Sequence, residues 1–75
     1  MSEEDKNFEN ILHIVEFNRE NNQIAFGMQV CGDYWTKENI RKMTIKLNEK
    51  MGNNNVVVTQ KTDKKYVQFL FRLPN

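Results

Sequence analysis

Ile14–Val30 reads IVEFNRENNQIAFGMQV, and 43 positions further on Val57–Leu73 reads VVTQKTDKKYVQFLFRL. Each stretch is a short apolar run, a polar turn, and then alternating large apolar residues. Ile24, Phe26, Met28 and Val30 in the first answer to Val67, Phe69, Phe71 and Leu73 in the second. Period-two alternation on both sides of a turn predicts a β-hairpin with one buried face. In the first stretch a two-residue turn at Asn21-Asn22 sets Phe17 opposite Phe26, Val15 opposite Met28 and His13 opposite Val30. Directly opposed residues share a sheet face, so the apolar sets coincide. Asn tolerates the left-handed backbone that such a turn needs. In the second stretch a turn at Asp63-Lys64 sets Val58 opposite Phe69 and Val56 opposite Phe71; a turn at Lys64-Lys65 changes the pairs but not which face is apolar, and Pro74 ends the last strand.

Two periods compete ahead of the first turn. Ile11, His13, Val15 and Phe17 alternate as a strand beginning near Asn10, whereas Phe8, Ile11, Leu12 and Val15 have helical spacing. Ser2 with Asp5 also imitates a helix-capping pair. The hairpin geometry favours the strand. Residues 1–9 then form a flexible or short helical segment ahead of a single domain over 10–75. Between the hairpins, Ile40, Met43, Leu47 and Met51 recur as the stripe of an amphipathic helix. Thr36 is its N-cap, Trp35 packs back on Ile40 as a staple, and Gly52 ends it before Asn53-Asn54-Asn55. The expected fold is therefore α+β: an antiparallel four-stranded sheet in ββαββ order with one amphipathic helix on one face.

Composition agrees with one small domain. With 75 residues and 39% hydrophobic content the chain can build a single core, but at this size that core supplies only about 3–5 kcal/mol, so association would help it. No apolar run approaches the ~20 residues of a membrane-spanning helix, and the opening MSEEDKNFEN is acidic, unlike a secretory signal. The single cysteine, Cys31, forms no internal disulfide and suits a reducing compartment, so a cytoplasmic location is expected. Net charge is +1 but unevenly spread, −5 over residues 1–34 and +6 over 35–75.

Reactive groups are scarce. The chain has one histidine (His13), one cysteine and one serine (Ser2, at the terminus), too few for a nucleophilic triad on rigid elements. By the hairpin pairing His13 lies on the face of Val30 and Cys31 points to the other side, which separates the two. Structural zinc needs three or four Cys or His ligands, and the glycines form no phosphate-cradling cluster. The expectation is a non-enzymatic protein with no metal, no cofactor and no small-molecule substrate.

Surface contact is what remains. Leu12, Ile14, Val57, Tyr66 and Leu70 fall by alternation on the sheet face away from the helix, where an ordinary antiparallel sheet is polar. The bland reading is that the N-terminal segment, with Phe8, folds across them; the functional one is an interface with another protein or with a second copy of this chain, a homodimer. Ile45 lies on the helix side opposite the Ile40/Leu47 stripe and joins the candidate partner-binding set. The alternative function is electrostatic binding of nucleic acid, or of anionic lipid, by Lys37, Arg41, Lys46 and Lys50 on the helix and by Lys64 and Lys65 at the second turn, with Tyr34 and Trp35 stacking on bases. A sequence pI near 7.9 is low for a dedicated nucleic-acid binder.

Overall fold

The structure is a computed structural model and describes residues 2–52, 56–60 and 66–73. Its elements in chain order are helix α1 (Glu3–Glu20), strand β1 (Ala25–Cys31), helix α2 (Lys37–Met51), strand β2 (Val56–Gln60) and strand β3 (Tyr66–Arg72). The strands form one antiparallel sheet in the order β1-β3-β2. The α+β class stands, but with two helices and three strands in place of the expected ββαββ arrangement.

The correction lies in the first hairpin, because Asn10–Phe17 is helical. Ser2 accepts a hydrogen bond from the Asp5 N–H at 3.1 Å, and Glu3, Glu4 and Asp5 fill the first turn, where the helix dipole favours negative charge. Ile11 and Val15, one turn apart, are buried, with Phe8 and Leu12 packed beside them. The helix runs through positions 9 and 10 without a break. Asn22 does adopt the left-handed backbone (φ 63°), yet it does so as the residue that closes a helix. The Gln23 N–H donates to the Asn18 carbonyl at 2.8 Å and the Asn22 N–H to that of Arg19 at 3.0 Å, the paired bonds of a Schellman closure. Phe17, expected against Phe26, is instead 66% exposed. Phe26 stacks on Phe71, ring centroids 5.1 Å apart.

The second half follows the sequence closely. β2 and β3 pair with Val56 opposite Phe71 and Val58 opposite Phe69, which is the first of the two registers the sequence allows, while the turn itself and Pro74 lie outside the described residues. Thr36 caps α2 by accepting from the Asn39 N–H at 3.2 Å, and Gly52 ends it with φ 81°. Ile40, Met43 and Leu47 are buried. Trp35 packs edge-on against Phe69, centroids 5.5 Å apart.

β3 takes β1 as its second neighbour, with Phe26 opposite Phe71 and Met28 opposite Phe69. Being antiparallel to the same strand, β1 and β2 run parallel to each other with β3 between them. Phe26, Met28 and Val30, then Val67, Phe69 and Phe71, then Val56 and Val58 share one sheet face, and the buried residues of both helices pack on it. The Asn22 closure gives a direct check. Asn22→Gly should raise the unfolding free energy by up to about 1 kcal/mol in urea titration, whereas Asn21→Gly should not, because Asn21 has φ −98°. Equal gains at both positions would instead indicate a two-residue hairpin turn.

Candidate functional site

Pairing register fixes what the uncovered sheet face presents. Gly27, Leu70 and Val57 form its central row, Gln29, Gln68 and Thr59 the next, and Cys31 with Tyr66 and Ala25 with Arg72 the flanks. Val57, the most open of the apolar residues there, is 57% exposed; Leu70 is exposed beside it, and Tyr66 is exposed beyond the Gln68/Thr59 row. Arg72 is the one charged side chain on this face among the described residues. Gly27 gives the face its shape, since a Cβ at this position would come within 3.0 Å of Leu70 Cδ2 and 3.1 Å of Gln68 Nε2. The side chains of the central strand therefore lean across β1.

Three of the sequence-predicted contact residues, Val57, Tyr66 and Leu70, come together here. Leu12 and Ile14 do not. Their placement rested on a strand that is a helix: Leu12 packs against the core, and Ile14 is exposed on α1. Ile45 is exposed on α2, in a shallow depression of about 340 Å³ with Glu38, Arg41 and Lys42. Phe17 and Ile24 are exposed apolar residues that the strand reading had placed in the core. Gly27 also went unread, although an isolated glycine inside a strand pattern signals a close approach.

The expected basic face is broken up. Lys46 Nζ lies 3.3 Å from Glu4 Oε2 and 3.1 Å from Asp5 Oδ1, and sits 4.6 Å from the centre of the Phe8 ring. It ties α2 to the first turn of α1. The hydrogen bond from Lys46, reinforced by that to Ser2, holds the Asp5 carboxyl below its ordinary range, and the bond to Asp5 raises the Lys46 ammonium. Lys42 pairs with Glu38 at 3.6 Å. Lys37, Arg41 and Lys50 are exposed and make no ion pair among the described residues, while Lys64 and Lys65 lie outside them. Trp35 is held between Tyr34 and Phe69. Burial, and after it Glu4 and Glu3, pushes the Tyr34 hydroxyl up.

His13 belongs to α1, not to a strand beside Val30. It lines a depression with Glu9, Leu12 and Glu16, whereas Cys31 lines another with Glu3, Asn10 and Tyr34. Among the described residues no group of three His, Cys, Asp or Glu side chains is placed to hold a metal ion, and no helix is long and apolar enough to cross a membrane. Comparison with protein-family models, with curated proteins and with solved structures finds no match.

The interhelix clamp carries a pH signature. Asp5 titrates lower when folded, so its contribution is present at neutral pH and is lost as pH falls through the lowered value, below the ordinary 3.8. Lys46 titrates higher, so its share is lost only as pH rises past the ordinary 10.5. Lys46→Met should lower Tm at neutral pH, with the gap from wild type closing at both extremes and narrowing in high salt. A gap independent of both pH and salt would assign the loss to the packing of the Lys46 stem on Phe8.

Proposed function

We propose that this chain is a small non-enzymatic protein-binding module, acting in the cytoplasm or another reducing compartment, that works by apolar contact through its uncovered sheet face. The observation that carries this reading is the adjacent pair Val57 and Leu70, exposed together with Tyr66 on the one face that neither helix covers. The solvent face of an antiparallel sheet is ordinarily polar, and a contiguous apolar patch ordinarily marks a contact. Arg72 borders the Leu70/Val57 row on one side, and the Gln29/Gln68/Thr59 row borders it on the other, between Leu70 and Tyr66. A second copy of this chain is the partner this face suits: one cationic side chain on an otherwise neutral patch sets up little repulsion between copies, and a core of this size gains from association. Binding energy would be concentrated in Leu70 and its neighbours, with the surrounding polar groups excluding water. No bond-making step, metal or cofactor is needed for such work. Ile45, alone among charged neighbours on α2, is a secondary contact.

Electrostatic binding of nucleic acid or anionic lipid is the weaker reading on this geometry. Lys46 is engaged by Glu4 and Asp5, Lys42 by Glu38, and Trp35 is seated on the core, so Lys37, Arg41 and Lys50 remain as the exposed cations of α2 that make no ion pair among the described residues.

Sedimentation equilibrium tests the proposal. The wild type should sediment well above its 9.0 kDa chain mass, and Leu70→Lys should give a lighter species with an unchanged far-ultraviolet circular dichroism spectrum. An assembly mass unaffected by Leu70→Lys would remove the sheet face from the interface. Salt-sensitive retention of a monomer on a polyanion column would favour the electrostatic reading in its place.

A further inference from the structure

Alternation of hydrogen bonds shows which peptide groups of β1 are used and which are not. The Leu73 N–H donates to the Ile24 carbonyl at 2.7 Å, so Ile24 and Leu73 form a hydrogen-bonded pair. In an antiparallel ladder such pairs alternate. Phe26, Met28 and Val30 therefore turn their peptide groups inward to β3. Ala25, Gly27, Gln29 and Cys31 turn theirs outward, where among the described residues no strand lies.

The other edge of the sheet is treated differently. By the same alternation Val56 of β2 points its N–H outward, and the Asn48 side chain of α2 accepts from it at 3.1 Å. β2 is also short, five residues against seven in β1. β1, with the sequence AFGMQVC, has no charged residue and no proline, and among the described residues no side chain caps its outer edge.

We infer that the outer edge of β1 pairs antiparallel with β1 of a second copy, about a two-fold axis at Met28, to give a continuous six-stranded sheet. In this register Ala25 faces Cys31 of the second copy and Gly27 faces Gln29. All four outward residues of each chain are then used, and the four hydrogen-bonded pairs each exchange two bonds. Shifting by two residues in either direction leaves one outward residue of each chain without a partner. On the helix side Met28 meets Met28 of the second copy, and Phe26 meets Val30. These are three of the half-buried apolar residues at the rim of the core. The strand carries no charge, so two copies meet without repulsion.

The inference deepens the association reading and rests on it. Three strands spaced ~4.8 Å apart and ~20 Å long present roughly 300 Å² of face. A standard interface buries about 800 Å² per partner. Edge pairing doubles the uncovered face and brings it towards the area that a stable stacked contact requires.

Cross-linking tests the edge independently of the face. In the paired register residue 25 lies ~5.5 Å, Cα to Cα, from Cys31 of the second copy, within the span of a disulfide. Within one chain the two positions are ~20 Å apart, six strand residues, and the Cys31 residues of the two copies are as far from each other. Under mild oxidant Ala25→Cys should therefore give a covalent dimer at least tenfold faster than wild type, including when combined with Leu70→Lys. Gln29→Pro, which removes an outward N–H that β3 does not use, should abolish that cross-link while keeping the circular dichroism spectrum. Cross-linking no faster than wild type, or undiminished by Gln29→Pro, overturns the edge inference. An assembly lost in Leu70→Lys but kept in Gln29→Pro overturns it too while leaving the face reading standing. The reverse pattern sustains the edge and overturns the face.

Discussion

The whole structure depends on β3 being hydrogen-bonded along both of its edges. It is the last element in the chain, yet it brings together β1 and β2, which do not touch each other, and it carries Phe69 at the centre of the core with no exposed surface. Val67, Phe69, Phe71 and Leu73 supply four of the ten buried apolar residues among those described, and Ile11, Val15, Ile40, Met43 and Leu47 from the two helices close over them. A sheet missing β3 would be two separate ribbons with no shared face, and neither helix would have anything to cover. Because the central strand follows the other two, the β1–β3 pairs join residues 35 to 47 positions apart. Such non-local pairing is entropically costly to close and slows folding.

That dependence explains which parts of the architecture can be read from residues. α2 is legible from end to end: its cap at Thr36, its buried stripe and its stop at Gly52 are local signals, and each is where the spacing puts it. The inward face of β2 and β3 is legible because the alternation of apolar residues specifies it on both strands, whereas their register is not, since turns at Asp63-Lys64 and Lys64-Lys65 keep the same face. The first hairpin misleads because Asn10–Phe17 satisfies two periods at once, and because Asn22 has the backbone freedom wanted by a hairpin turn and by a helix end alike. Local sequence does not separate those uses. What does is the partner of β1: pairing with β3 places Phe26 on Phe71 and frees the preceding segment to bury Ile11 and Val15 as a helix. A hairpin with Ile11–Phe17 would have left β3 with one neighbour and the sheet with a second long open edge.

The candidate site shows the same division. Val57, Tyr66 and Leu70 are legible as outward-facing because they lie on the strands whose alternation fixes the inward face, and Leu12 and Ile14 fail with the strand that carried them. Lys46 is the instructive case among the charges. In sequence it is one basic residue on a basic helix face, whereas in the fold it answers the acidic first turn of α1, 41 and 42 residues away. The opposite charges of the two halves of the chain are thus partly spent on holding the halves together. What then distinguishes the surface is apolar and concerns the backbone: a small sheet face whose one charge among the described residues is Arg72, and beside it a seven-residue strand with one edge open.

Amide hydrogen exchange followed residue by residue, at low and at high protein concentration, tests this arrangement most directly. With β1 at the edge of the sheet and paired to β3 alone within one chain, the amides of Phe26, Met28 and Val30 should exchange slowly in dilute solution, and those of Gly27, Gln29 and Cys31 quickly. The second set should become protected as the concentration rises. Uniform protection along β1 in dilute solution, or protection of His13, Val15 and Phe17 in a strand-like alternation, would contradict the account.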